Sequence, residues 1–444
     1  MIILGLGSNM GFLLKNLRTA LHELQKIPEL TIKKISSVYL SEAELPEAAP
    51  QTWKKSYLNV AVAVESSLTP RALQLQLQTI EEKMGRRRDQ RWEPRLIDID
   101  ILIWNNESYE DECLTIPHRS LWNRPFALLP LLEIFPEFQS PHLSSIPWLK
   151  PELEAPFRTR KIKACLNGPA LMGIVNVTPD SFSDGNQCPA LESQLEQIKH
   201  LILSGAEIID IGAESTRPQA SPVSSAEEWK RLKPLMKAVK DLPQQLGIDP
   251  ALTPEISLDT FHPETAERAL HSSSIQWIND VSGESVLEMV NLIKNTNIRY
   301  VSMHHLGVPP SSQSTLPISS DPIPLLTQWT VERIHFLDTL GLKSSQVIMD
   351  LGIGFGLSPA QTWEVLKRSG EVKKALERFE VPLLIGHSRK SFLKSVLNED
   401  STFSRDFASS LIAFSLAEQK IDYLRVHAVS LSNQSMKVFS QLKI

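Results

Sequence analysis

The sequence has few cysteines, no excess of positive charge and no long apolar run. Its three cysteines, Cys113, Cys165 and Cys188, are too few and too scattered for a disulfide framework or a cysteine zinc site. Lysine and arginine total 46 against 51 aspartate and glutamate, which disfavours a nucleic-acid partner. No apolar stretch approaches the 18 residues of a membrane span, and the amino terminus lacks the basic segment of a signal peptide. We therefore expect no membrane association and a cytoplasmic location.

The composition is that of an ordinary globular protein, with 42% hydrophobic and 22% charged residues. A chain of 444 residues predicts two or three domains. Prolines are concentrated between residues 130 and 156, and a basic patch follows at 158–163. Because proline lacks an amide donor and disfavours helix before it, this stretch indicates irregular chain or a linker. We predict a boundary near residue 160, which gives domains 1–160 and 161–444.

After residue 160, short apolar runs alternate with helical patterns. Eight such units favour an α/β fold of the (β/α)8 TIM-barrel type, with a doubly wound open sheet as the alternative, because periodicity does not show closure. The predicted strands are 171–177, 207–212, 256–259, 277–281, 299–303, 347–351, 382–385 and 423–426. Before residue 160, strands at 2–7, 31–40, 57–64 and 96–104 alternate with helices near 13–25 and 70–84. This pattern predicts a smaller α+β domain.

Asp98 and Asp100 lie two positions apart in a predicted strand of the first domain. Residues two apart share a face, so both carboxylates project together while Ile97, Ile99 and Ile101 face the core. Neighbouring carboxylates repel each other unless a cation lies between them. Oxygen ligands of this kind suit Mg²⁺, which typically bridges to substrate phosphates. The alternative interpretation is the polar face of an edge strand.

Arginines crowd the chain just before this pair, at positions 86, 87, 88, 91 and 95. Guanidinium groups form charge-assisted, often bidentate bonds with phosphate, so this density suits a polyphosphate. A charge run is usually a solvated surface, but a basic loop beside two carboxylates indicates a metal–nucleotide site. His118 and Arg124 are further candidates for phosphate contacts. The sequence has no Walker A motif, and its early glycines do not have the spacing of a dinucleotide fingerprint.

Residues 1–160 resemble 6-hydroxymethyl-7,8-dihydropterin pyrophosphokinase. The resemblance rests on Gly7-Ser8-Asn9, Tyr57-Leu58-Asn59, the run from Arg91 to Arg95, Asp98-Ile99-Asp100, and Pro117-His118 with Arg124. It implies a ferredoxin-like fold and pyrophosphoryl transfer from ATP, with two Mg²⁺ on Asp98 and Asp100. It also implies catalytic roles for Asp98, Asp100, Arg86 and Arg95, ATP contacts from Arg86, Arg91, Arg95, His118, Gln78 and Glu81, and pterin contacts from Asn59 and Phe126.

One residue and one loop differ from the usual sequence of that family. Glu93 stands where the arginine loop usually has glycine. Residues 41–50, Ser-Glu-Ala-Glu-Leu-Pro-Glu-Ala-Ala-Pro, replace the usual proline- and glycine-containing pterin loop. The contacts that this loop makes with the pterin are therefore not implied by the resemblance.

Polar side chains follow most of the predicted barrel strands. Catalytic groups of a barrel lie in the loops after the carboxyl ends of its strands. Each residue alone could be a helix cap or a turn residue, but one polar cluster per strand end indicates a site. Asp259, Asn279, Asp350 and Lys390 suit a flat heterocycle with ring nitrogens, an amine and a carbonyl. Arg217, Arg425 and His427 supply the charge for an anion, with Asn176 as a candidate metal ligand.

Residues 168–440 resemble dihydropteroate synthase. Its two signatures match residues 172–185, Met-Gly-Ile-Val-Asn-Val-Thr-Pro-Asp-Ser-Phe-Ser-Asp-Gly, and residues 212–218, Gly-Ala-Glu-Ser-Thr-Arg-Pro. The resemblance implies condensation of a pterin pyrophosphate with p-aminobenzoate, and a homodimer through the barrel. It also implies pterin contacts from Asp259, Asn279, Asp350 and the catalytic Lys390, pyrophosphate contacts from Arg425, His427 and Asn176, with Asn176 also helping to bind Mg²⁺, and p-aminobenzoate near Thr216, Arg217 and Ser391.

Together the two resemblances predict a bifunctional folate-pathway enzyme whose first product is the second domain's substrate. One alternative is a degenerate first domain that serves only as a scaffold for an active barrel; the intact Asp98, Asp100 and arginine loop argue against it. Another is a barrel that serves as a pterin-binding methyltransferase partner. The clusters at residues 214–217 and 388–390 favour the synthase.

Overall fold

The computed structural model describes residues 1–86, 93–105, 107–149, 157–177, 187–214, 222–308, 310, 314–397 and 401–442. The chain divides into two compact units. The first comprises Met1–Leu166 with Ile248–Thr253, and the second comprises Asn167–Gly247 with Pro254–Ile444. None of the described helices is long and apolar enough to cross a membrane.

The first unit is an α+β domain, as the sequence predicts. Its elements are, in chain order, β1 (Ile2–Ser8), α1 (Leu13–Gln25), β2 (Leu30–Ile35), β3 (Tyr39–Ser41), β4 (Tyr57–Ser66), α2 (Pro70–Lys83), β5 (Asp98–Trp104), β6 (Tyr109–Glu110), β7 (Thr115–Ile116), α3 (Pro125–Ile134), α4 (Pro141–Ser144) and β8 (Thr159–Lys161). The main sheet has the order β5–β1–β4–β3–β8, and β2 also pairs with β4. Its neighbouring strands run antiparallel.

Strand alternation gives this sheet two apolar faces. Val60, Val62 and Val64 of β4 pack with α1 and α2, whereas Ala61 and Ala63 between them pack with α3. The predicted single strand at 31–40 is wrong, because residues 36–38 separate β2 from β3. At this break the Ser36 hydroxyl accepts the amide of Ala61 at 2.9 Å and replaces a strand–strand bond with a side-chain bond.

The second unit contains eight strands and nine helices among the residues that the structure describes. Its elements are β9 (Ala170–Asn176), α5 (Gln187–Leu203), β10 (Ile208–Gly212), α6 (Ser225–Ala238), α7 (Leu242–Leu246), β11 (Glu255–Asp259), α8 (Pro263–Ser272), β12 (Trp277–Asp280), α9 (Val286–Ile293), β13 (Arg299–Met303), α10 (Pro322–Thr339), β14 (Val347–Asp350), α11 (Pro359–Leu376), β15 (Leu383–Ile385), α12 (Thr402–Glu418), β16 (Tyr423–Val426) and α13 (Val429–Leu442).

These strands form a closed parallel barrel, which confirms the TIM-barrel prediction and excludes the open sheet. Each strand pairs with the next, and β16 closes on β9 through the pairs Tyr423–Ala170 to Val426–Gly173. The interior is filled by apolar side chains, among them Met172 and Trp277. Because all eight strands are parallel, their carboxyl ends form one rim.

Candidate active sites

A cavity of about 140 Å³ opens in the first unit against β1, β4 and β5. Gly7 of β1 pairs with Asn59 of β4 on one side and with Asp98 of β5 on the other. A Cβ atom at Gly7 would come within 3.1 Å of the Asn59 side-chain oxygen, so glycine keeps this floor open. The polar and aromatic residues that line the cavity include Asn59, Arg95, Asp98, Asp100, His118, Arg124 and Phe126.

Asp98 and Asp100 both face this cavity, as strand alternation predicts. The intervening Ile99 is buried in the core below. Partial burial in the cavity wall and the adjacent Asp98 carboxylate raise the pKa of Asp100. His118 lies near the pair, with its Nε2 atom 3.9 Å from an Asp100 oxygen. The two carboxylates thus carry repulsion that a bound cation would relieve.

Two arginines contact the first of these carboxylates. The Nη1 atoms of Arg86 and Arg95 lie 2.6 and 3.2 Å from the same Asp98 oxygen. The backbone of Arg95 is held by Asn9, whose side-chain oxygen accepts its amide at 2.7 Å. Arg91 lies outside the described residues. The structure therefore brings two of the three predicted loop arginines to the carboxylate pair.

Glu81 lies beneath this cluster, buried on α2. Its carboxylate accepts the amide of Ile99 at 2.7 Å and also bonds Arg86. Burial raises the pKa of Glu81 to about 7. Gln78, one turn earlier on α2, is half-buried and is not among the residues that line the cavity. Glu81 thus connects α2 to β5 and to Arg86 rather than facing the cavity directly.

The opposite wall contains the residues predicted to hold a pterin. The side-chain amide of Asn59 donates to the Ser41 hydroxyl at 2.9 Å. The Phe126 ring stands edge-on to Phe157, with centroids 5.7 Å apart. Glu44, which the sequence analysis did not single out, also lines the wall and accepts from Arg124 at 2.8 Å. Its only sequence signal was its place in the divergent loop at residues 41–50.

The donor set fits Mg²⁺ bound together with a nucleotide. Among the residues described, no three His, Cys, Asp or Glu side chains form a metal-binding group. Mg²⁺ is commonly held by one or two carboxylates, with water and substrate phosphates as the remaining ligands. Asp98 and Asp100 supply such a pair, and the nearby arginines suit the phosphates.

In the second unit, predicted site residues form a row across the rim of the barrel. Asn176 of β9 pairs with Gly212, Gly212 pairs with Asp259, and Asp259 pairs with Asn279. Asn176 is exposed, whereas Asn279 is buried. Four adjacent strands therefore end at one level, and three of them present a polar side chain there.

Arg425 connects β16 to β10 and β11 through side-chain bonds near this rim. Its Nη2 atom donates to Asp259 at 2.5 Å, and its Nε atom donates to Asp210 at 2.6 Å. Asp210 is fully buried and also accepts from Asn279 at 3.3 Å. Sequence reasoning missed Asp210 because it lies inside the apolar run of β10 rather than after it. The signal was a lone charged residue within a buried strand.

Burial shifts the titration of the central groups. It raises the pKa of Asp259 to about 7 and that of Asp350 to about 6. Burial and the nearby Arg425 lower the pKa of Lys390 to about 8. Burial opposes the charge of Arg425, but Asp210 and Asp259 outweigh it and raise the pKa of that guanidinium. The rim therefore holds several acids and bases near neutrality, as functional sites often do.

The structure describes two of the remaining predicted residues, His427 and Ser391. The Nδ1 atom of His427 lies 3.1 Å from the Ser388 hydroxyl, which also accepts the His427 amide at 3.2 Å. Ser391 is exposed, directly after Lys390. Thr216 and Arg217 lie outside the described residues. A flat heterocycle could thus meet carboxylates, an amide and an amine, with cationic groups alongside for an anion.

Comparison with known proteins assigns each unit to a family. The model of the family described as 7,8-dihydro-6-hydroxymethylpterin-pyrophosphokinase matches residues 3–136, and the model of the family described as pterin binding enzyme matches residues 172–427. The chain is 35% identical over 440 residues to a folate synthesis bifunctional protein of Chlamydia muridarum, covering 96% of this chain and 95% of that one.

Two further similarities agree with this result. A mitochondrial folate synthesis bifunctional protein of Pisum sativum is 32% identical over 472 residues, which cover 98% of this chain and 88% of that one. The crystal structure of Anaplasma phagocytophilum dihydropteroate synthase with bound 6-hydroxymethylpterin-monophosphate is 30% identical, with a TM-score of 0.53 over 62% of this chain and 99% of that one. The chain therefore belongs to the bifunctional folate synthesis family and joins a hydroxymethyl-dihydropterin pyrophosphokinase to a dihydropteroate synthase.

Proposed function

We propose that the cavity of the first unit binds ATP and 6-hydroxymethyl-7,8-dihydropterin side by side. The observation that carries this assignment is the carboxylate pair Asp98 and Asp100 facing one cavity with arginines on one flank and Phe126 on the other. The pterin ring rests against Phe126 and Asn59. The triphosphate lies toward Arg86, Arg91, Arg95 and His118, with Gln78 and Glu81 supporting the nucleotide side.

In this reaction the hydroxymethyl oxygen of the pterin attacks the β-phosphorus of ATP and loses its proton to solvent. The bond between the β-phosphorus and the oxygen that links it to the α-phosphate breaks, and AMP leaves. Asp98 and Asp100 would hold Mg²⁺, which would offset the negative charge of the phosphates. Arg86 and Arg95 stabilise negative charge on the phosphoryl oxygens, and Glu81 orients Arg86 through their contact. Pterin-dependent release of AMP, rather than ADP, from ATP tests this chemistry.

For the second unit we propose that Asp259, Asn279, Asp350 and Lys390 hold the pterin ring. Their burial at one barrel rim and the perturbed pKa values of Asp259, Asp350 and Lys390 support this role. Arg425 and His427 would bind the pyrophosphate, and Asn176 would help to hold Mg²⁺. Thr216, Arg217 and Ser391 would contact p-aminobenzoate. Relief of sulfonamide inhibition by added p-aminobenzoate tests the last assignment, and noncompetitive inhibition would contradict it.

In the proposed synthase reaction, the bond between the pterin methylene carbon and the pyrophosphate oxygen breaks first. Cationic side chains stabilise the departing pyrophosphate. The amine of p-aminobenzoate then attacks the resulting pterin cation and loses a proton to give 7,8-dihydropteroate. Formation of dihydropteroate from ATP, hydroxymethyl-dihydropterin and p-aminobenzoate in one reaction mixture tests both halves together.

We further propose a homodimer through the barrel. Its support is an apolar stripe on α12 formed by Phe403, Phe407 and Leu411, which are 71%, 51% and 56% exposed. Because these residues recur every four positions, they share one helix face, and an identical stripe on a second copy would cover it across a two-fold axis. Phe407→Glu should convert a dimer to a monomer in sedimentation; a parent protein that sediments as a monomer would contradict the proposal.

We also propose that the functional boundary lies near residue 160, between domains 1–160 and 161–444. The two family matches end and begin on either side of it. We also propose a cytoplasmic location. Cell fractionation followed by immunodetection of the full chain tests the location.

A further inference from the structure

The loop between β3 and β4 brings a carboxylate into the wall of the first-unit cavity. Glu44 lines the cavity and accepts a hydrogen bond from Nε of Arg124 at 2.8 Å. Its side chain is 34% exposed, so it is partly enclosed. Arg124 immediately precedes α3, 80 residues later in the chain. The ion pair therefore fixes the divergent loop against the cavity.

The same ion pair lies beside the aromatic surface of the cavity. The guanidinium carbon of Arg124 is 5.9 Å from the centroid of the Phe126 ring. Phe126 is itself supported edge-on by Phe157. Phe126, Glu44 and Arg124 all line this cavity, so a flat ring bound against Phe126 would lie near the ion pair.

Glu44 keeps acceptor capacity for a ligand. Arg124 engages Oε2, and Oε1 accepts no hydrogen bond from any residue that the structure describes. A carboxylate offers about four lone-pair positions, so even the engaged oxygen can accept again. The amide group of Asn59, by contrast, already donates to Ser41. Glu44 is therefore an acceptor that complements hydrogen-bond donors on a ring edge.

We propose that Glu44 is a specificity-determining residue that accepts hydrogen bonds from the N3–H and 2-amino groups of the dihydropterin. These two donors are adjacent on the pyrimidinone ring, and a carboxylate accepts such a pair in a bidentate manner. The inference rests on the assignment of the cavity to the pterin proposed above. It adds the chemical feature of the substrate that the kinase recognises, which is an amino group rather than an oxo group at C2 of the pterin.

The test compares two substrates in the full chain, 6-hydroxymethyl-7,8-dihydropterin and its dihydrolumazine counterpart, which carries an oxo group at C2. AMP formation from ATP gives kcat/KM for each, and it reports on the kinase site without interference from pterin binding in the barrel. The kcat/KM of the parent protein should be at least about 30-fold higher for the pterin. The C2 oxo group of the dihydrolumazine and the Glu44 carboxylate are both hydrogen-bond acceptors, so they repel each other. Glu44→Gln should lower this preference at least about tenfold, because glutamine can donate to the oxo group.

A matched control is Glu47→Gln, the same substitution at an exposed position of the same loop, which should leave the preference unchanged. Phe126→Ala should lower kcat/KM for both substrates alike. If it lowers neither, the cavity is not the pterin site and the proposed function of the cavity fails. If it lowers both while Glu44→Gln leaves the preference within twofold, only the role of Glu44 is overturned.

Integrity of the first unit is checked by the KM for ATP, which should stay within about twofold of the parent value in Glu44→Gln. Where that variant does not fold, Glu44→Ala replaces it, because alanine removes the acceptor without adding a donor. Glu44→Ala should also lower the preference at least about tenfold. A preserved preference in this variant overturns the proposal.

Discussion

The candidate sites of the two units differ in how their charged residues are arranged around the same substrate group, the bicyclic pterin ring. In the first unit, the carboxylate pair faces an open cavity, where the Asp100 side chain is 43% exposed, and arginines lie alongside. In the second, Asp350 is only 5% exposed, and Asp210 is fully buried beneath Arg425. The first site is suited to highly charged phosphates that arrive with their own cations. The second has a more buried network of ion pairs and hydrogen bonds, in which each charge depends on its neighbours.

The largest expected effect is the loss of the carboxylate pair in the first unit. Asp98→Ala or Asp100→Ala should reduce AMP formation by at least about 10³-fold, because the remaining groups cannot hold the cation and phosphates together. The same proteins should convert pre-formed pterin pyrophosphate to dihydropteroate within twofold of the parent rate. Undiminished Mg²⁺-dependent kinase activity in either variant would remove the pair from the mechanism.

A smaller loss is expected for the central carboxylate of the barrel. Asp259→Ala removes a partner of Arg425, and losing one hydrogen bond to a charged group costs about 1.5–3 kcal/mol. That predicts a tenfold to hundredfold drop in synthase kcat/KM, while ATP-to-AMP turnover stays nearly unchanged. If this substitution disables both reactions in a well-folded protein, the two sites are coupled and their independence is wrong.

The pH dependence should separate the two sites further. Lys390 has a pKa lowered to about 8, so it loses its proton above that pH, whereas its unperturbed form would not. Synthase kcat/KM for pterin pyrophosphate should then fall about tenfold per unit above pH 8. The kinase relies on arginines, and neighbouring carboxylates raise the pKa of Arg86 despite its burial. Kinase activity should stay level from pH 8 to 9.5.

Lys390→Arg is the control for this pH profile, because an arginine stays charged. It should move the alkaline fall of the synthase upward by at least one pH unit, even if the maximal rate is lower. An unchanged alkaline limb in this variant would show that another group is titrating.

The smallest effect is expected at Glu93, where the arginine loop departs from its family. Within the described residues the Glu93 side chain makes no hydrogen bond or ion pair; only its backbone carbonyl accepts from Arg95 at 3.4 Å. Glu93→Ala keeps that carbonyl, so kinase kcat/KM should stay within about twofold. A tenfold change in the kinase assay would assign the side chain a role in phosphate binding.

Much of this architecture could be predicted from local periodicity. The eight apolar runs of the barrel correspond to its eight strands, and the alternation around Asp98 and Asp100 predicts correctly that both face one side. Periodicity failed where side chains replace regular backbone bonds, as at Ser36. It also did not predict α3, whose sequence is apolar on nearly every side and so has no helical stripe.

Contacts between distant segments were beyond the reach of the sequence. Asp210 is the lone charged residue of an apolar run, and the sequence does not show that its partner is Arg425, 215 positions later. The role proposed for Glu44 likewise depends on its contact with Arg124, which the sequence does not show. The resemblance to known families predicted which residue types matter, but not the partners that burial imposes on them. Pairing of this kind follows from the three-dimensional path of the chain.

Closure of the barrel between β9 and β16 also determines when contacts of the synthase rim can form during synthesis of the chain. The strand that completes the ring of hydrogen bonds is the last of the eight barrel strands in chain order, and it carries Arg425. Until it emerges, Asp210 has no guanidinium partner, and β9 lacks one of its two neighbours. A nascent chain thus gains the contacts of Arg425 only after the other seven barrel strands have been made. Truncation before β16 would leave buried acids uncompensated, and the quality-control machinery of the cell would meet an open sheet edge.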